Sequence, residues 1–268
     1  MQVVAVVLLR NEDVFVERVL RNIAGFCDRI HVADHMSNDR TWEIVSSLAG
    51  ELDNVDAVRI THAARSHDLV VPYIGTDTWV FSPDGDELFD SARLMGFRSE
   101  LDAGRYREFF RIVPAMLHCI ALDEEGLSAD GYLAPPSRGS TRLWNFAALE
   151  SWEGVSRERV HDGHPVFVDG WDWQAAYDLG SEAGFDASPF RCLHACFLRR
   201  SSRDPADGRV ARLNIAEANS YRRDAVGRLA GAVRRARRGL RRTSWKDDYY
   251  RRRPVVTKDA APFLVRGA

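Results

Sequence analysis

Apolar runs of strand length alternate with helical patterns over the first 82 residues. Gln2–Leu9 is an apolar run rich in Val, which predicts a strand that is buried on both faces. Apolar side chains then recur at helical spacing from about Asp13 to Phe26, which predicts an amphipathic helix. The alternation continues with strands at Arg29–Ala33, Val55–Thr61 and Trp79–Ser82 and helices at Thr41–Leu52 and around Ser66–Tyr73. Repeated strand–helix units favour a doubly wound α/β fold with a mostly parallel, mixed sheet flanked by helices.

The sequence beyond residue 100 is less regular. Arg105–Ile120 predicts a long strand or a bent hairpin, and Ser140–Phe146 predicts a short strand. Gly131–Gly139 is rich in Pro, Gly and Ser and predicts a loop. Ser151–Asp172 is rich in Trp, His, Asp and Gly, a composition that suits a loop region facing a substrate.

Charge divides the chain into an acidic body and a basic end. The 268 residues carry a net charge of −2, but residues 1–198 hold 17 Lys and Arg against 32 Asp and Glu. Residues 199–268 hold 20 Lys and Arg against 7 Asp and Glu. We therefore predict an α/β domain over residues 1–200 and a basic, Arg-rich helical extension with a tail over residues 201–268, which suggests two separate tasks or one body with a docking segment.

The composition argues against several other classes of protein. The sequence has no run of 18 apolar residues, so no transmembrane helix is predicted. Its N-terminus lacks the basic leader and the small-residue cleavage site of a signal peptide. The four cysteines are too few and too scattered for a disulfide scaffold. We therefore expect a cytoplasmic protein.

Polar clusters follow three of the predicted parallel strands. Arg10–Glu12 follows the first strand, Asp34–Thr41 follows the second and Asp84–Glu87 follows the fourth. Ligands of open α/β sheets bind beyond the carboxyl ends of the strands, so the clusters are expected to converge on one binding edge. For the first cluster an alternative stays open, in which Asn11 caps the next helix and the following acidic residues favour its dipole.

The third cluster packs Asp84, Asp86 and Glu87 into four residues. Like charges this close repel one another unless a counter-ion holds them or water screens them. A divalent cation is one explanation, and an exposed turn rich in Asp and Gly is the other. Gly85 lies between the two aspartates and would let a ligand approach the backbone. Convergence with the two upstream clusters favours the cation.

Three motifs in this order resemble those of the family 2 glycosyltransferases of the GT-A fold. They are LLRNED (Leu8–Asp13), VADHMSNDRT (Val32–Thr41) and FSPDGDELF (Phe81–Phe89). The resemblance is good over residues 1–100 and loose over residues 101–200. It implies a nucleotide-sugar-binding half, an acceptor-binding half and a hexosyltransferase-like enzyme. Such an enzyme moves a sugar from a UDP- or GDP-sugar donor to an acceptor hydroxyl, and inversion is expected.

The resemblance also implies roles for individual residues. Asp86 and His194 would bind a divalent cation, Mn²⁺ or Mg²⁺, and Asp84 would bind the ribose hydroxyls or the metal through water. The other nucleotide-sugar-binding positions are Arg10, Asn11, Glu12, Asp34, Ser37 and Asp39. A cation held by such ligands neutralises a diphosphate leaving group.

An inverting transfer needs a carboxylate that accepts the proton of the acceptor hydroxyl. Enzymes with this type of first motif often carry a His-Glu pair for the purpose, and this sequence has His161-Asp162 at the matching place. Asp162 is therefore the predicted catalytic base, with Glu158 and Glu153 as fallbacks. The alternative is that Asp162 only caps a turn before Gly163.

The basic end leaves several partners open. The predicted helix over Arg222–Arg242 has an apolar stripe with Arg on its other faces, which suits packing on the acidic body. The alternative is an anionic membrane surface, such as the inner membrane face, where a lipid-linked acceptor would be found. Sugar or small-molecule acceptors stay open, and no nucleic acid is expected because no nucleic-acid-binding motif accompanies the charge.

Two rival functions remain. A nucleotidyltransferase on a similar fold would want a Gly-rich loop after the first strand to hold a triphosphate, and LLRNEDVF has no glycine there. A non-catalytic protein could act through the basic helix alone, in which case the loss of Asp86 would leave its function intact.

Overall fold

The structure is a computed structural model that describes residues 1–204, 250–251 and 254–264. Its strands are β1 (Gln2–Leu9), β2 (Arg29–Asp34), β3 (Val55–Arg59), β4 (Thr78–Phe81), β5 (Glu87–Phe89), β6 (Arg111–Val113), β7 (Ala115–Asp123), β8 (Ser128–Ala134), β9 (Leu143–Asn145), β10 (Leu149–Glu153), β11 (His164–Phe167), β12 (Ala176–Asp178), β13 (Arg191–His194) and β14 (Val256–Asp259). Its α-helices are α1 (Val16–Ala24), α2 (Thr41–Glu51), α3 (Ser91–Asp102) and α4 (Leu179–Ala187). Short 3-10 helices span Ala63–Leu69, Val71–Tyr73, Phe146–Ala148 and Ala261–Phe263.

A seven-stranded sheet forms the frame of the molecule, with the strand order β12-β6-β9-β4-β1-β2-β3. β1 pairs in parallel with β2 and β4, and β2 pairs in parallel with β3. β9 runs antiparallel between β4 and β6, so the sheet is mixed. The predicted fold class is therefore confirmed: α/β, with a mostly parallel sheet flanked by helices.

β1 is buried on both faces, as its apolar run predicts. Val3 and Val7 lie in the core that includes residues of α1 and α2, whereas Val6 lies in a second core with Phe110 and Trp144. Side chains alternate between the two faces of a strand, so one Val-rich strand can serve both cores. This packing fixes the position of the loop that follows Leu9.

A five-stranded sheet, in the order β14-β8-β7-β13-β5, packs around a core of its own. Within it, β13 pairs antiparallel with β5, which places His194 opposite Glu87. β13 also pairs in parallel with β7, which places His194 opposite His118. The second sheet therefore brings a histidine from late in the chain beside the acidic residues that follow β4.

Several local predictions are wrong. α1 begins at Val16, and its N-cap residue is Phe15, so Asn11 does not cap the helix and Glu12 is not in its first turn. Asn11 instead adopts a φ of 57°, a left-handed conformation that asparagine tolerates. The helix predicted around Ser66–Tyr73 is a pair of 3-10 helices.

The second half contains more strand than its composition predicts. The residues Gly131–Ala134, predicted as loop, belong to β8, because β7 and β14 both pair with this segment. Arg105–Ile120 divides into β6 and β7, which lie in different sheets. The loop predicted over Ser151–Asp172 includes β11, which pairs antiparallel with β10.

The described part of the C-terminal extension contacts the α/β body. β14 pairs with β8, and Phe263 is fully buried. The basic helix predicted over Arg222–Arg242 lies outside the described residues, so its packing on the body and its contact with membrane both stay predictions. Among the residues that the structure describes, no helix has the length and apolar character needed to cross a bilayer.

Candidate active site

The loops after β1, β2 and β4 meet at the carboxyl ends of these strands. The backbone N–H of Asn11 donates a hydrogen bond to Oγ of Ser37 (2.9 Å), which joins the first two loops. Asp84 forms an isolated parallel bridge with Leu8, which places the segment Asp84–Glu87, here called the acidic turn, beside the end of β1. The three polar clusters therefore share one edge of the sheet, as the sequence predicts.

Asp34 is fully buried and shapes the loop after β2. Its carboxylate accepts hydrogen bonds from the N–H of Ser37 (3.2 and 3.3 Å) and from Nε of Arg59 (2.9 Å). Nη2 of Arg59 also donates to the carbonyl of Ser37 (2.7 Å). The carboxylate of Asp34 thus accepts hydrogen bonds that hold its own loop, and its contact with a nucleoside stays a prediction.

Asp39 connects the same loop to the chain that follows β13. Its Oδ1 accepts from the N–H and from Oγ1 of Thr41 (3.0 and 2.6 Å), and its Oδ2 accepts from Oγ of Ser201 (2.6 Å). Burial raises the pKa of the Asp39 carboxyl, but these hydrogen bonds outweigh burial and hold the pKa below its ordinary value. Arg10 is exposed nearby, and its Nη1 donates to the carbonyl of His35 (3.2 Å).

Arg142 is a buried counter-charge for the acidic turn. It immediately precedes β9, the neighbour of β4, and its side chain is 3% exposed. Its Nη2 donates to Oδ2 of Asp84 (2.6 Å), and its Nε donates to Oε2 of Glu87 (2.6 Å). Burial raises the pKa of Asp84, but Arg142 and Arg159 more than offset burial and hold it well below its usual range. Burial, opposed by Arg142 and assisted by the charge of Asp84, raises the pKa of Glu87 to about 7.

Arg159 is a second buried counter-charge and links the acidic turn to Glu158. Its Nη2 donates to Oδ1 of Asp84 (2.7 Å) and to Oε2 of Glu158 (3.0 Å), and its Nη1 donates to the carbonyl of Pro83 (2.9 Å). Burial raises the pKa of Glu158, and the positive charge of Arg159 opposes the rise without cancelling it. The site therefore contains carboxyls whose pKa values are pushed in opposite directions.

Arg200 holds Asp86, a fully buried carboxylate of the acidic turn. Its Nη1 forms a close ion pair with Oδ2 of Asp86 and lies 3.5 Å from Oε1 of Glu12. Burial lowers the pKa of Arg200, but Asp86 and Glu12 raise it overall, so the guanidinium stays charged. The carbonyl of Asp86 accepts from the N–H of Ala195 (2.8 Å), which joins the turn to the residue after β13.

Asp84, Asp86 and His194 form a group that could hold a divalent cation. Each offers one ligand atom, and these atoms lie within 4.8 Å of one another. Oδ1 of Asp86 faces Nε2 of His194 at 3.6 Å, while Oδ2 of the same carboxylate is taken by Arg200. Ligands that share one cation at about 2.0–2.4 Å lie no farther apart than about twice that distance, so this spacing fits. Carboxylate oxygen and imidazole nitrogen are ligands that Mn²⁺ accepts.

Asp162, the predicted catalytic base, is engaged in a turn. Its Oδ2 accepts from the N–H and Oγ of Ser156 (3.0 and 2.7 Å) and from the N–H of Arg157 (3.0 Å). Burial raises the pKa of Asp162, but these hydrogen bonds lower it overall. The geometry therefore matches the turn-capping alternative, while the fallback residue Glu158 lies in the ion-pair network of the acidic turn.

The structure thus brings together most of the residues that the sequence singled out. The acidic turn contains Asp84 and Asp86, and Glu12 and His194 lie beside it. The adjacent loops are joined by Asn11, Ser37 and Asp39. The sequence argument missed the arginines that hold these carboxylates, Arg142, Arg159 and Arg200. They lie 55 to 114 residues from their partners in the acidic turn, so no local spacing marks them.

No protein-family model matches the chain, and no curated protein matches it in sequence. Similar solved structures include TarS from S. aureus, at 15% identity and a TM-score of 0.33 over 45% of this chain and 22% of that one. They also include the mannosyltransferase PcManGT from Pyrobaculum calidifontis in complex with GDP-Man and Mn²⁺, at 19% identity and a TM-score of 0.31 over 46% of this chain and 36% of that one. A third is 4-diphosphocytidyl-2C-methyl-D-erythritolsynthase from Anaerococcus prevotii, at 12% identity and a TM-score of 0.34 over 54% and 70%. This chain spans less than half the length of TarS and of the mannosyltransferase.

Proposed function

We propose that this protein is a metal-dependent glycosyltransferase that moves a sugar from a nucleotide-diphosphate donor to an acceptor hydroxyl with inversion. The observation that carries the proposal is the gathering of Asp84, Asp86 and His194, with ligand atoms within 4.8 Å of one another, at the carboxyl edge of a mostly parallel sheet. The loops after β1 and β2 border the same edge. This is the place where nucleotide ligands of open α/β sheets bind.

Asp86 and His194 would hold a Mn²⁺ or Mg²⁺ ion, with Asp84 as a third ligand or as a partner of the ribose hydroxyls. When bound, the cation neutralises the diphosphate leaving group. The chain itself keeps the ligands ionised and oriented, because Arg142 and Arg159 hold the two oxygens of Asp84. Arg200 similarly holds one oxygen of Asp86 and leaves the other facing His194.

The nucleoside of a UDP- or GDP-sugar would lie against the loops after β1 and β2. Asn11 and Ser37 hold these loops together, and Asp39 anchors the second loop to Ser201. Arg10 is exposed at this edge, where its charge would attract the anionic donor. Glu12 and Asp34 would act mainly through their ion pairs with arginine, which fix the loops around the nucleotide.

Glu158 replaces Asp162 as the proposed general base. It would accept the proton of the acceptor hydroxyl as that oxygen bonds to the anomeric carbon, while the bond to the donor phosphate breaks and its electron pair leaves with the diphosphate. Its side chain is 14% exposed and is held by Arg159, which also holds Asp84. A pKa raised by burial brings a carboxyl closer to neutral pH, where a base is most effective.

The class of acceptor and the route by which it reaches the enzyme are proposed from the sequence alone. A sugar, a small molecule or a lipid-linked acceptor would each supply a hydroxyl. The basic segment Arg222–Arg242 favours the lipid-linked class if it binds an anionic membrane surface, which would place a cytoplasmic enzyme at the inner membrane face.

Asp86→Asn tests the proposal, because it keeps the shape of the side chain and removes its charge. In the unmodified chain, UDP or GDP should raise the melting temperature only when Mn²⁺ is present, since a ligand that binds only the native state stabilises it. We expect Asp86→Asn to lose this Mn²⁺-dependent shift and to lower turnover of the donor by about 10²–10³-fold. Asp169→Asn, at an exposed position, is the matched control. Full turnover by Asp86→Asn, or nucleotide stabilisation without Mn²⁺, would refute the metal role.

A further inference from the structure

We infer that His118 is a positioning residue that fixes the ring of His194, so that the Nε2 lone pair of His194 points at the acidic turn. The inference rests on the proposed function, since it concerns one of the proposed metal ligands. His118 is fully buried on β7, directly opposite His194 in the strand register.

The hydrogen bonds of His118 fix its tautomer. Its Nε2 lies 3.0 Å from the carbonyl oxygen of Arg138. A carbonyl oxygen can only accept a hydrogen bond, so Nε2 carries the proton. In the neutral ring, Nδ1 then presents a lone pair.

The tautomer of His194 follows from that of His118. The two Nδ1 atoms are 3.0 Å apart, and one of them must donate. Because Nδ1 of His118 is the acceptor, Nδ1 of His194 carries the proton, and in the neutral ring its Nε2 then has the lone pair. This Nε2 lies 3.6 Å from Oδ1 of Asp86, so two acceptor atoms face each other across the space that a cation would fill.

Such an arrangement is what a metal-binding histidine needs. Histidines that bind metals usually donate their other ring N–H to a fixed partner, which sets the tautomer and makes the ligand nitrogen more basic. Here the partner is a second histidine, which a backbone carbonyl fixes in turn. Tyr250 packs against His118 with ring centroids 4.4 Å apart, and Sγ of Cys196 lies 3.9 Å from its Nδ1, so the His118 ring is confined.

The same atoms suggest a competing use. His118, His194 and Cys196 also place ligand atoms within 4.8 Å of one another, as a soft metal such as Zn²⁺ would require. A metal at that place would take both Nδ1 atoms and abolish their hydrogen bond. The proposed arrangement, in which His118 fixes the tautomer of His194 and which we call the relay, keeps that bond. The experiments below separate the two uses.

Two amide substitutions at position 118 test the relay in the full chain. In His118→Asn the amide oxygen reaches the place of Nδ1 and can still accept from His194. In His118→Gln the amide reaches the place of Nε2, where it can bond the carbonyl of Arg138 but leaves His194 without its acceptor. We expect the Kd for Mn²⁺, measured by electron paramagnetic resonance without substrate, to rise about 10–100-fold in His118→Gln and no more than about threefold in His118→Asn. His31→Gln is the matched control, because its ring contacts Tyr73 and Asp56 instead.

Each other outcome is decisive. Equal Kd values for His118→Asn and His118→Gln would overturn the relay while leaving the metal site in place. If the unmodified chain binds no Mn²⁺, the proposed function loses its metal site and the relay falls with it. If Cys196→Ala weakens binding while Asp86→Asn does not, the ion lies in the His118, His194 and Cys196 group, and the relay is wrong.

A direct measurement covers the case in which His118→Gln does not fold. Imidazole ¹⁵N shifts of the unmodified, metal-free chain should show His118 protonated on Nε2 and His194 protonated on Nδ1. Addition of Mg²⁺ should then shift Nε2 of His194 and leave its Nδ1 proton in place. A His194 ring that carries its proton on Nε2 would overturn the relay.

Discussion

Two groups of carboxylates lie at the same edge of the sheet and are held in different ways. In the loop after β2, Asp34 and Asp39 accept hydrogen bonds from N–H groups two or three residues away, and each adds one more distant partner. In the acidic turn, Asp84 and Asp86 are held mainly by arginines that are 58 to 114 residues away. The first group therefore shapes its own loop, whereas the second depends on charges that other segments supply.

This difference supports the acidic turn as the place of the proposed chemistry. Asp39 has a lowered pKa and serves as a structural anion. Around the acidic turn, the pKa of Asp84 is lowered well below its usual range, while that of Glu158 is raised. Carboxyls of one site whose pKa values are pushed apart are typical of acid–base catalysis, because one stays ionised while the other exchanges protons near neutral pH.

The largest effect on activity is expected from Glu158→Gln. If Glu158 is the base, turnover should fall by about 10²–10⁴-fold, while the affinity for Mn²⁺ and nucleotide stays the same. A base must be ionised, and the pKa of Glu158 is raised, so the activity of the unmodified enzyme should rise as pH increases through that raised value and vanish below it. A pH profile of kcat measures this limb, which Glu158→Gln should lack.

Glu153→Gln and Asp162→Asn are the controls for this prediction. Glu153 is exposed, and the carboxylate of Asp162 is used by the N–H groups of its turn. Both variants should keep the pH limb. If Asp162→Asn abolishes the limb and Glu158→Gln does not, the base is Asp162, as the sequence alone predicted.

The largest effect on stability is expected from Arg142→Met. This change leaves Asp84 and Glu87 without their shared buried counter-charge, and loss of one partner of a buried ion pair costs about 3–5 kcal/mol. The matched change in the loop after β2 is Arg59→Met, which should cost about 1–2 kcal/mol, because the Arg59 side chain is 37% exposed and Asp34 keeps its bond to Ser37. Urea denaturation gives both values. Equal losses would remove the distinction between the two groups of carboxylates.

The sequence predicted the first half of the fold well because its signals are local. β1 was predicted at its observed bounds, and α2 to within one residue of its end, from patterns contained in each segment. β8 was missed because its neighbours β7 and β14 come from other parts of the chain and override a Gly- and Pro-rich composition. The helix cap that the sequence allows at Asn11 does not form, because loop contacts with Ser37 and Asn38 determine its conformation.

The candidate site was predicted in part. The acidic turn follows a strand whose end can be located from periodicity, whereas His194 was predicted only through the resemblance to the family 2 glycosyltransferases. The arginines could not be found in this way, because an ion pair between segments that are 55 or more residues apart leaves no period in the sequence. The sequence does not show that the carboxylate of Asp162 accepts hydrogen bonds from Ser156 and Arg157, and this geometry is the reason for proposing Glu158 in its place.

Arg200→Met tests how the charge of Arg200 affects cation binding at the acidic turn. The Arg200 guanidinium is paired with the same carboxylate that is proposed to bind the cation, so its positive charge opposes the ion. We expect Arg200→Met to bind Mn²⁺ about tenfold more tightly, which corresponds to about 1.4 kcal/mol. Without Mn²⁺ it should be less stable than the unmodified chain, and Mn²⁺ should restore much of the loss.

Isothermal titration gives the affinity, and Arg203→Met, at an exposed position three residues away, is the control. Weaker binding would mean that Arg200 orients Asp86 rather than competing with the ion.

The smallest effect is expected at Asp39, where the loop after β2 is joined to Ser201. Ser201→Ala removes one hydrogen bond to an ionised carboxylate and should cost about 1 kcal/mol at neutral pH. Because the pKa of Asp39 is lowered in the folded state, its ionised form contributes stability above the ordinary carboxyl pKa, and this contribution is lost as pH falls through the lowered value. The difference between Ser201→Ala and the unmodified chain should therefore shrink in acid, as denaturation at a series of pH values would show. Ser202→Ala, which loses an exposed hydrogen bond to Asp13, should cost less at neutral pH. If the cost of Ser201→Ala stays constant down to strongly acidic pH, the effect comes from packing. The ionised carboxylate of Asp39 would then contribute little to the stability of the loop after β2, and the contrast with the acidic turn would be weakened.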